Sequence, residues 1–189
     1  MDISGEYRIP APREKVWEAL NDPAMLQAAI PGCEALEKVS ATDFTTRICS
    51  RIGAIKARFN GNITLSDIDA PNSYTISGQG QGGIAGMAKG SARVALETDG
   101  DETILRYNAR ADVAGKLATV GSRVIEGVAK KTADDFFRAF VVQVTGEGAP
   151  AASGDGAVAV AQDRRPAMVW LVGIGVAAAV AAGIAALLL

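Results

Sequence analysis

The chain has no histidine at all and only two cysteines in 189 residues. Without imidazole there is no His-based triad, no His metal ligand and no imidazole proton shuttle. Cys33 and Cys49 lie too far apart for a CxxC redox motif, and nothing else completes a Cys-based zinc site, so no metal centre is expected. Cys33 follows Pro31-Gly32 with no base nearby in the pattern, which argues against a thiolate nucleophile. A basic excess is also missing: the formal net charge is −2, which argues against a nucleic-acid partner. Aromatic residues are scarce, at 5%. The amino terminus, MDISGEYRIP, has no basic region and no apolar stretch, and reads as carrying no secretory signal.

Apolar residues are abundant and unevenly placed. Residues 167–189 form a run of 23 without a charge. As a helix this run would reach about 35 Å, enough for a hydrocarbon core of about 30 Å, and it reads as a transmembrane tail anchor. Arg164 and Arg165 precede it, which places that flank in the cytoplasm and the protein on the cytoplasmic face of the cell membrane. Gly175, Ala179 and Gly183 form a small-residue stripe on which two such helices can pack. Residues 145–166 are rich in Gly, Ala and Pro without periodicity and read as a flexible linker with an r.m.s. span of roughly 25 Å.

Residues 1–144 read as one domain. An alternating strand (Ile3, Tyr7, Ile9) is followed by a helix opened by Pro12, with Val16, Trp17 and Leu20 on one face. A second short helix carries Met25, Leu26 and Ile30. Six strand-like stretches follow to about residue 113, and a long helix is expected from Lys116 to Val144, with a stripe of Leu117, Val120, Val124, Val128, Phe136, Phe140 and Val144. This order fits an α+β fold in which a bent antiparallel sheet wraps the last helix.

Alternation assigns the strand faces. One side carries Phe44, Thr46, Ile48; Ala57, Phe59, Gly61, Ile63, Leu65; Tyr74, Ile76, Gly78, Gly80; Ala88, Gly90, Ala92, Val94, Leu96; and Leu105, Tyr107, Ala109, Ala111, Val113. None is charged and many are Gly or Ala. Either bulky residues such as Phe136, Phe140 and Trp17 complete a solid core, or an apolar cavity holds a ligand. For the cavity, the expected lining is Met25, Leu26, Phe59, Ile63, Tyr74, Ile76, Val94, Tyr107, Val120 and Val124. Outward faces carry Arg47, Arg51, Lys56, Arg58, Lys89, Arg93, Arg106 and Arg110 against fewer acids. This is either a solvated surface or a docking face, with Arg47, Arg58, Arg93 and Arg106 as the partner-docking candidates.

Residues 78–83 match GxGxxG, but no helix follows, so a nucleotide site is not indicated. The glycine run reads as a connection between strands with an apolar tip, Ile84 and Met87, which either gates a cavity or is only a hairpin. No paired carboxylates face inward, and no catalytic residue is assigned.

The opening Pro12-Arg13-Glu14-Lys15-Val16-Trp17, with Leu20, Asp22 and Pro23, is followed by Ile30-Pro31-Gly32-Cys33-Glu34. Together with Gly90-Ser91-Ala92-Arg93-Val94 and the Phe-Phe pair that closes Ala133 to Phe140, it resembles the G-subunit family of carbon monoxide dehydrogenase. The resemblance implies a START-like, helix-grip fold. It also implies an accessory role, recruiting an aerobic molybdenum carbon monoxide dehydrogenase, or a related molybdenum hydroxylase, to the membrane. The molybdenum, iron–sulfur and flavin groups would belong to that partner. Together with an uncharged interior and a tail anchor, it leads to the expectation of a bound respiratory quinone carried between the bilayer and the partner. A pure adaptor without ligand, and a cyclase- or hydrolase-like enzyme of the same superfamily, are the alternatives.

Overall fold

A computed structural model describes residues 1–146. The stretch expected as a linker from residue 147 on, and the apolar run 167–189, lie outside the described residues. Among the described residues no helix is long and apolar enough to cross a membrane.

The chain opens with β1 (Asp2–Ile9), then α1 (Arg13–Ala19) and α2 (Pro23–Ala29). Pro12 caps α1. Pro23 stands at the start of α2, where the Asp22 carboxylate accepts from Ala24 N–H at 2.8 Å and Met25 N–H at 3.4 Å. Six strands follow: β2 (Cys33–Lys38), β3 (Asp43–Ile52), β4 (Ile55–Asp69), β5 (Ser73–Gln81), β6 (Met87–Asp99) and β7 (Glu102–Ala114). Together with β1 they form one antiparallel sheet of 7 strands in the order β1-β7-β6-β5-β4-β3-β2. The last element is α3 (Ser122–Thr145), whose buried side packs within the curve of the sheet. This is the arrangement that the order of elements predicts.

Burial follows alternation along the central strands, so the faces read from the sequence are those the sheet uses. The last helix differs from expectation. Residues Gly115–Val120 form a 3-10 turn, Gly121 adopts φ 94°, and only then does α3 begin. This left-handed residue resets the helical phase. The buried stripe is consequently Ile125, Ala129, Ala133, Phe136, Phe137, Phe140 and Val144, while Val124 is 43% exposed and Val128 half-buried.

The two ends of the domain are built differently. At one end lie the β3–β4 turn, a 3-10 turn at Gly83–Ala85, the Gly115–Val120 turn and the start of α3. There Gly86 (φ 114°) lies so close to Ala114 that a Cβ would stand 2.1 Å from its carbonyl oxygen, so only glycine lets the two turns touch. At the other end the β4–β5 and β6–β7 turns meet α1. Arg13 Nη1 donates to Asn72 Oδ1 at 2.8 Å, and Thr103 Oγ1 to Ala11 O at 2.7 Å.

A candidate ligand site between sheet and helix

The inner sheet face and the buried side of α3 enclose the candidate site, and its walls change character along their length. Towards α1 and α2 the strands present Phe44, Leu65, Tyr74, Ile76, Val94, Leu96 and Leu105, and α3 presents Phe136 and Phe140, all buried. The two phenyl rings stack at 5.6 Å, and Trp17 of α1 meets Tyr74 edge-on at 5.7 Å. Leu26, Tyr74, Ile76 and Val94 have no accessible surface, so no space of even one water adjoins them. These four were expected on a cavity wall. The structure corrects that placement: the alternative of a solid core holds in this half, because helix aromatics fill it.

Towards the start of α3 the same strands present Gly78, Gly80, Ala88, Gly90, Ala92, Ala109 and Ala111, opposite Ile125, Ala129 and Ala133. Small residues line the strands here and, at Ala129 and Ala133, the helix. Several inward-facing positions here keep partial access (Ile55, Ala57, Val113, Val120 and Val128), while Phe59 and Ile63 are buried on the adjoining wall. Tyr107 is buried at the border of the two halves, and Met25 is half-buried on α2. Val120 borders the mouth, and Val124 stands outside it, turned toward the β3–β4 turn at Gly53, not into the interior. The expected gate residues sit at this same end, Ile84 83% and Met87 40% exposed.

The interior is electrically neutral. Its buried polar side chains are Thr46, Ser73 and Thr103, and no carboxylate or ammonium group accompanies them. Among the described residues, the buried Tyr74 hydroxyl and Arg13 Nε have no hydrogen-bond partner. Burial pushes the Tyr74 phenol well above its ordinary pKa. Such an interior offers apolar walls, the Tyr74 phenol is enclosed in the filled half, and among the described residues no charged acid–base pair is buried there. Among the described residues no cluster of three or more Cys, Asp or Glu side chains is placed to hold a metal.

Sequence reasoning missed an aromatic seam where β1 and β7 meet α3. Tyr7 stacks on Phe137 at 3.9 Å, with Tyr107 6.3 Å from Tyr7, and the Tyr7 hydroxyl donates to Asp134 Oδ1 at 2.7 Å. Burial raises the Tyr7 pKa first, and the Asp134 hydrogen bond raises it further. The signals were Tyr7 on the inward side of β1, Tyr107 on the inward side of β7 and the Phe136-Phe137 pair.

The outer face is less basic than alternation alone suggests. Arg58 pairs with Glu34 at 2.9 Å, Arg110 with Asp2 at 2.8 Å, and Arg106 with both Glu6 and Glu97. The acids come from β1, β2 and β6, neighbours that only the strand order reveals. Arg47 leans on Asn60, and Arg93 on Ser73. Arg93 also lines a shallow polar trough of about 430 Å³, with Ser4, Thr75, Ser91 and Asn108.

Residues 5–145 match the family described as the G subunit of carbon monoxide dehydrogenase, CoxG. The chain belongs to the CoxG family. Among solved structures, a conserved protein from Geobacillus kaustophilus is 29% identical with a TM-score of 0.73, over 77% of this chain and 96% of that one. A protein from Thermus thermophilus is 15% identical, TM-score 0.58, over 77% and 98%. The Zhui aromatase/cyclase from Streptomyces sp. R1128 is 14% identical, TM-score 0.57, over 77% and 93%. The last two share the fold and carry no further argument. No curated protein matches this sequence. The CoxG match spans almost all of the described domain, as the resemblance read from the Pro12–Glu34, Gly90–Val94 and Ala133–Phe140 segments implies.

Proposed function

We propose that this protein is a non-catalytic, membrane-bound accessory subunit that brings a molybdenum carbon monoxide dehydrogenase, or a related molybdenum hydroxylase, to the cytoplasmic face of the cell membrane. We further propose that it holds a respiratory quinone between sheet and helix for electron transfer to the respiratory chain. The observation that carries the ligand reading is the small-residue half of the interior, glycine and alanine on the strands facing alanine on α3, with partly accessible side chains at its mouth. An uncharged pocket suits a prenylated molecule, whose chain costs about 0.8 kcal/mol per CH₂ to expose to water. The family supports the accessory role. The sequence of 167–189 supports the membrane tether, and Arg164-Arg165 its orientation.

The test is extraction of residues 1–150, produced alone in a quinone-making bacterium and purified without detergent. Mass spectrometry of the extract is expected to find one quinone per chain, and to find it lost in Ala92→Phe, which fills the small-residue half. An empty domain that also takes up no added quinone overturns the carrier reading and leaves an adaptor. Loss of membrane-bound dehydrogenase on deletion of residues 147–189 tests the adaptor role separately.

A further inference from the structure

The turns at the two ends of the sheet carry opposite charge. At the end where α3 starts, the β3–β4 hairpin carries Arg51 and Lys56, the Gly115–Val120 turn Lys116, and the first turn of α3 Arg123, all exposed. None of the four is in an ion pair among the described residues. The acids nearest this end are Asp2, paired with Arg110, Asp112, opposite Lys89 in the register, and Glu126. At the far end the turns carry Asp43, Asp67, Asp69, Asp99, Asp101 and Glu102, offset by Lys38 and by Arg8, which bridges Asp99 and Glu102.

Arg51 and Lys56 are direct cross-strand partners in the register, two like charges one pair back from a two-residue turn. Such a pair destabilises a hairpin. It is the kind of local cost that a binding surface explains. Beside it stand exposed apolar side chains: Ile84, Met87 and Val124. Val39 and Ile68 are also exposed, at 67% and 49%, but at the acidic end, where an anionic surface is repelled.

We propose that the basic, apolar-tipped end docks against an anionic lipid bilayer, Ile84, Met87 and Val124 entering the interface while Arg51, Lys56, Lys116 and Arg123 meet the headgroups. This rests on the reading of the protein as membrane-bound. The chain outside the described domain fits the orientation. α3 begins at the basic end and, over 24 residues, carries the chain about 36 Å towards the acidic end. The 20 residues from 147 to 166 can span up to about 70 Å, enough to double back along the domain to the apolar run. Docking by this end also sets the small-residue half of the interior against the membrane, the side from which a lipophilic ligand would enter.

The experiment uses the full chain with Cys33 and Cys49 replaced by serine, reconstituted into vesicles. A single reporter cysteine, Ile84→Cys or Asp101→Cys, carries a polarity-sensitive fluorophore. In vesicles of equal parts phosphatidylglycerol and phosphatidylcholine, the label at 84 is expected to shift to blue and the label at 101 to stay in water. The shift at 84 is lost in pure phosphatidylcholine and at high salt. Replacing Arg51 and Lys56 with glutamine is expected to lower the docked-to-undocked ratio roughly thirtyfold. Flotation of every variant with the vesicles reports the tether independently, and circular dichroism reports folding. A label at 84 that stays in water while the protein floats overturns the docking, even if a partner protein then covers it. A blue shift at 101 instead reverses the orientation and overturns it too. A chain that does not float overturns the membrane-bound reading itself.

Discussion

The two halves of the interior are lined by the same strands and the same helix, yet they solve opposite problems. Near α1 and α2, aromatic and branched residues meet from sheet and helix, and the side chains have no space beside them. Near the start of α3, glycine and alanine on the strands face the buried Ile125, Ala129 and Ala133 on the helix, and the rim is partly accessible. The closed half can supply most of the stability, since burial of large apolar side chains contributes about 1.5–3 kcal/mol each. On the proposed carrier reading, the other half is then the one left to take a ligand.

Four substitutions or titrations test this division, in order of decreasing effect. Phe140→Ala, in the closed half, is expected to cost about 3–5 kcal/mol in urea unfolding, because no neighbour is loose enough to refill the gap. A cost under about 1 kcal/mol would mean that this half is not sealed.

Alkaline titration follows. All three tyrosines, Tyr7, Tyr74 and Tyr107, have pKa values raised chiefly by burial. An acid whose folded pKa is raised favours the fold fully below its unfolded value, about 10, and that contribution is lost as pH rises above it. Tyrosinate absorbance is therefore expected to appear together with loss of circular dichroism, in one cooperative step. Ionisation of a tyrosine in the folded protein near pH 10 would place that ring in solvent.

Tyr74→Phe removes a buried hydroxyl that has no partner among the described residues. The substitution is expected to stabilise the ligand-free domain by about 1 kcal/mol, read as a higher denaturation midpoint. Destabilisation would reveal an acceptor, either a buried water or a bound oxygen. The smallest effect on stability is expected for Ala92→Phe, in the open half: a change within about 1 kcal/mol, against the 1–3 kcal/mol typical of overpacking. A larger loss would show that the small-residue half is packed after all.

Strand faces were legible because each strand alternates cleanly: Phe59, Ile63 and Leu65 on β4 and Val94 and Leu96 on β6 point inward as the pattern requires. The helix was harder. Leu117, Val120, Val124 and Val128 are spaced as one helical stripe, but Gly121 breaks it, and the true stripe uses Ala129 and Ala133, which carry little hydropathic signal. Closure of one half was hidden for a related reason. Alternation tells which side Tyr74 faces, but not that Trp17 and the α3 aromatics would meet it there. Neutralisation of Arg106 and Arg110, and the charge difference between the ends, depend on which strands and turns become neighbours, information that local pattern does not contain.

The strand order also sets a schedule. Within the sheet, β1 is synthesised before every other strand and its partner is the last of them: Asp2 lies opposite Arg110 and Ile9 opposite Thr103. At about 5–20 residues per second, β1 waits roughly 5–20 s on the ribosome before β7 exists. During that interval Ile3, Tyr7 and Ile9 have no sheet to join. Asp2, Glu6 and Arg8, interleaved on the opposite face, are the charges that discourage a stray strand from pairing there first.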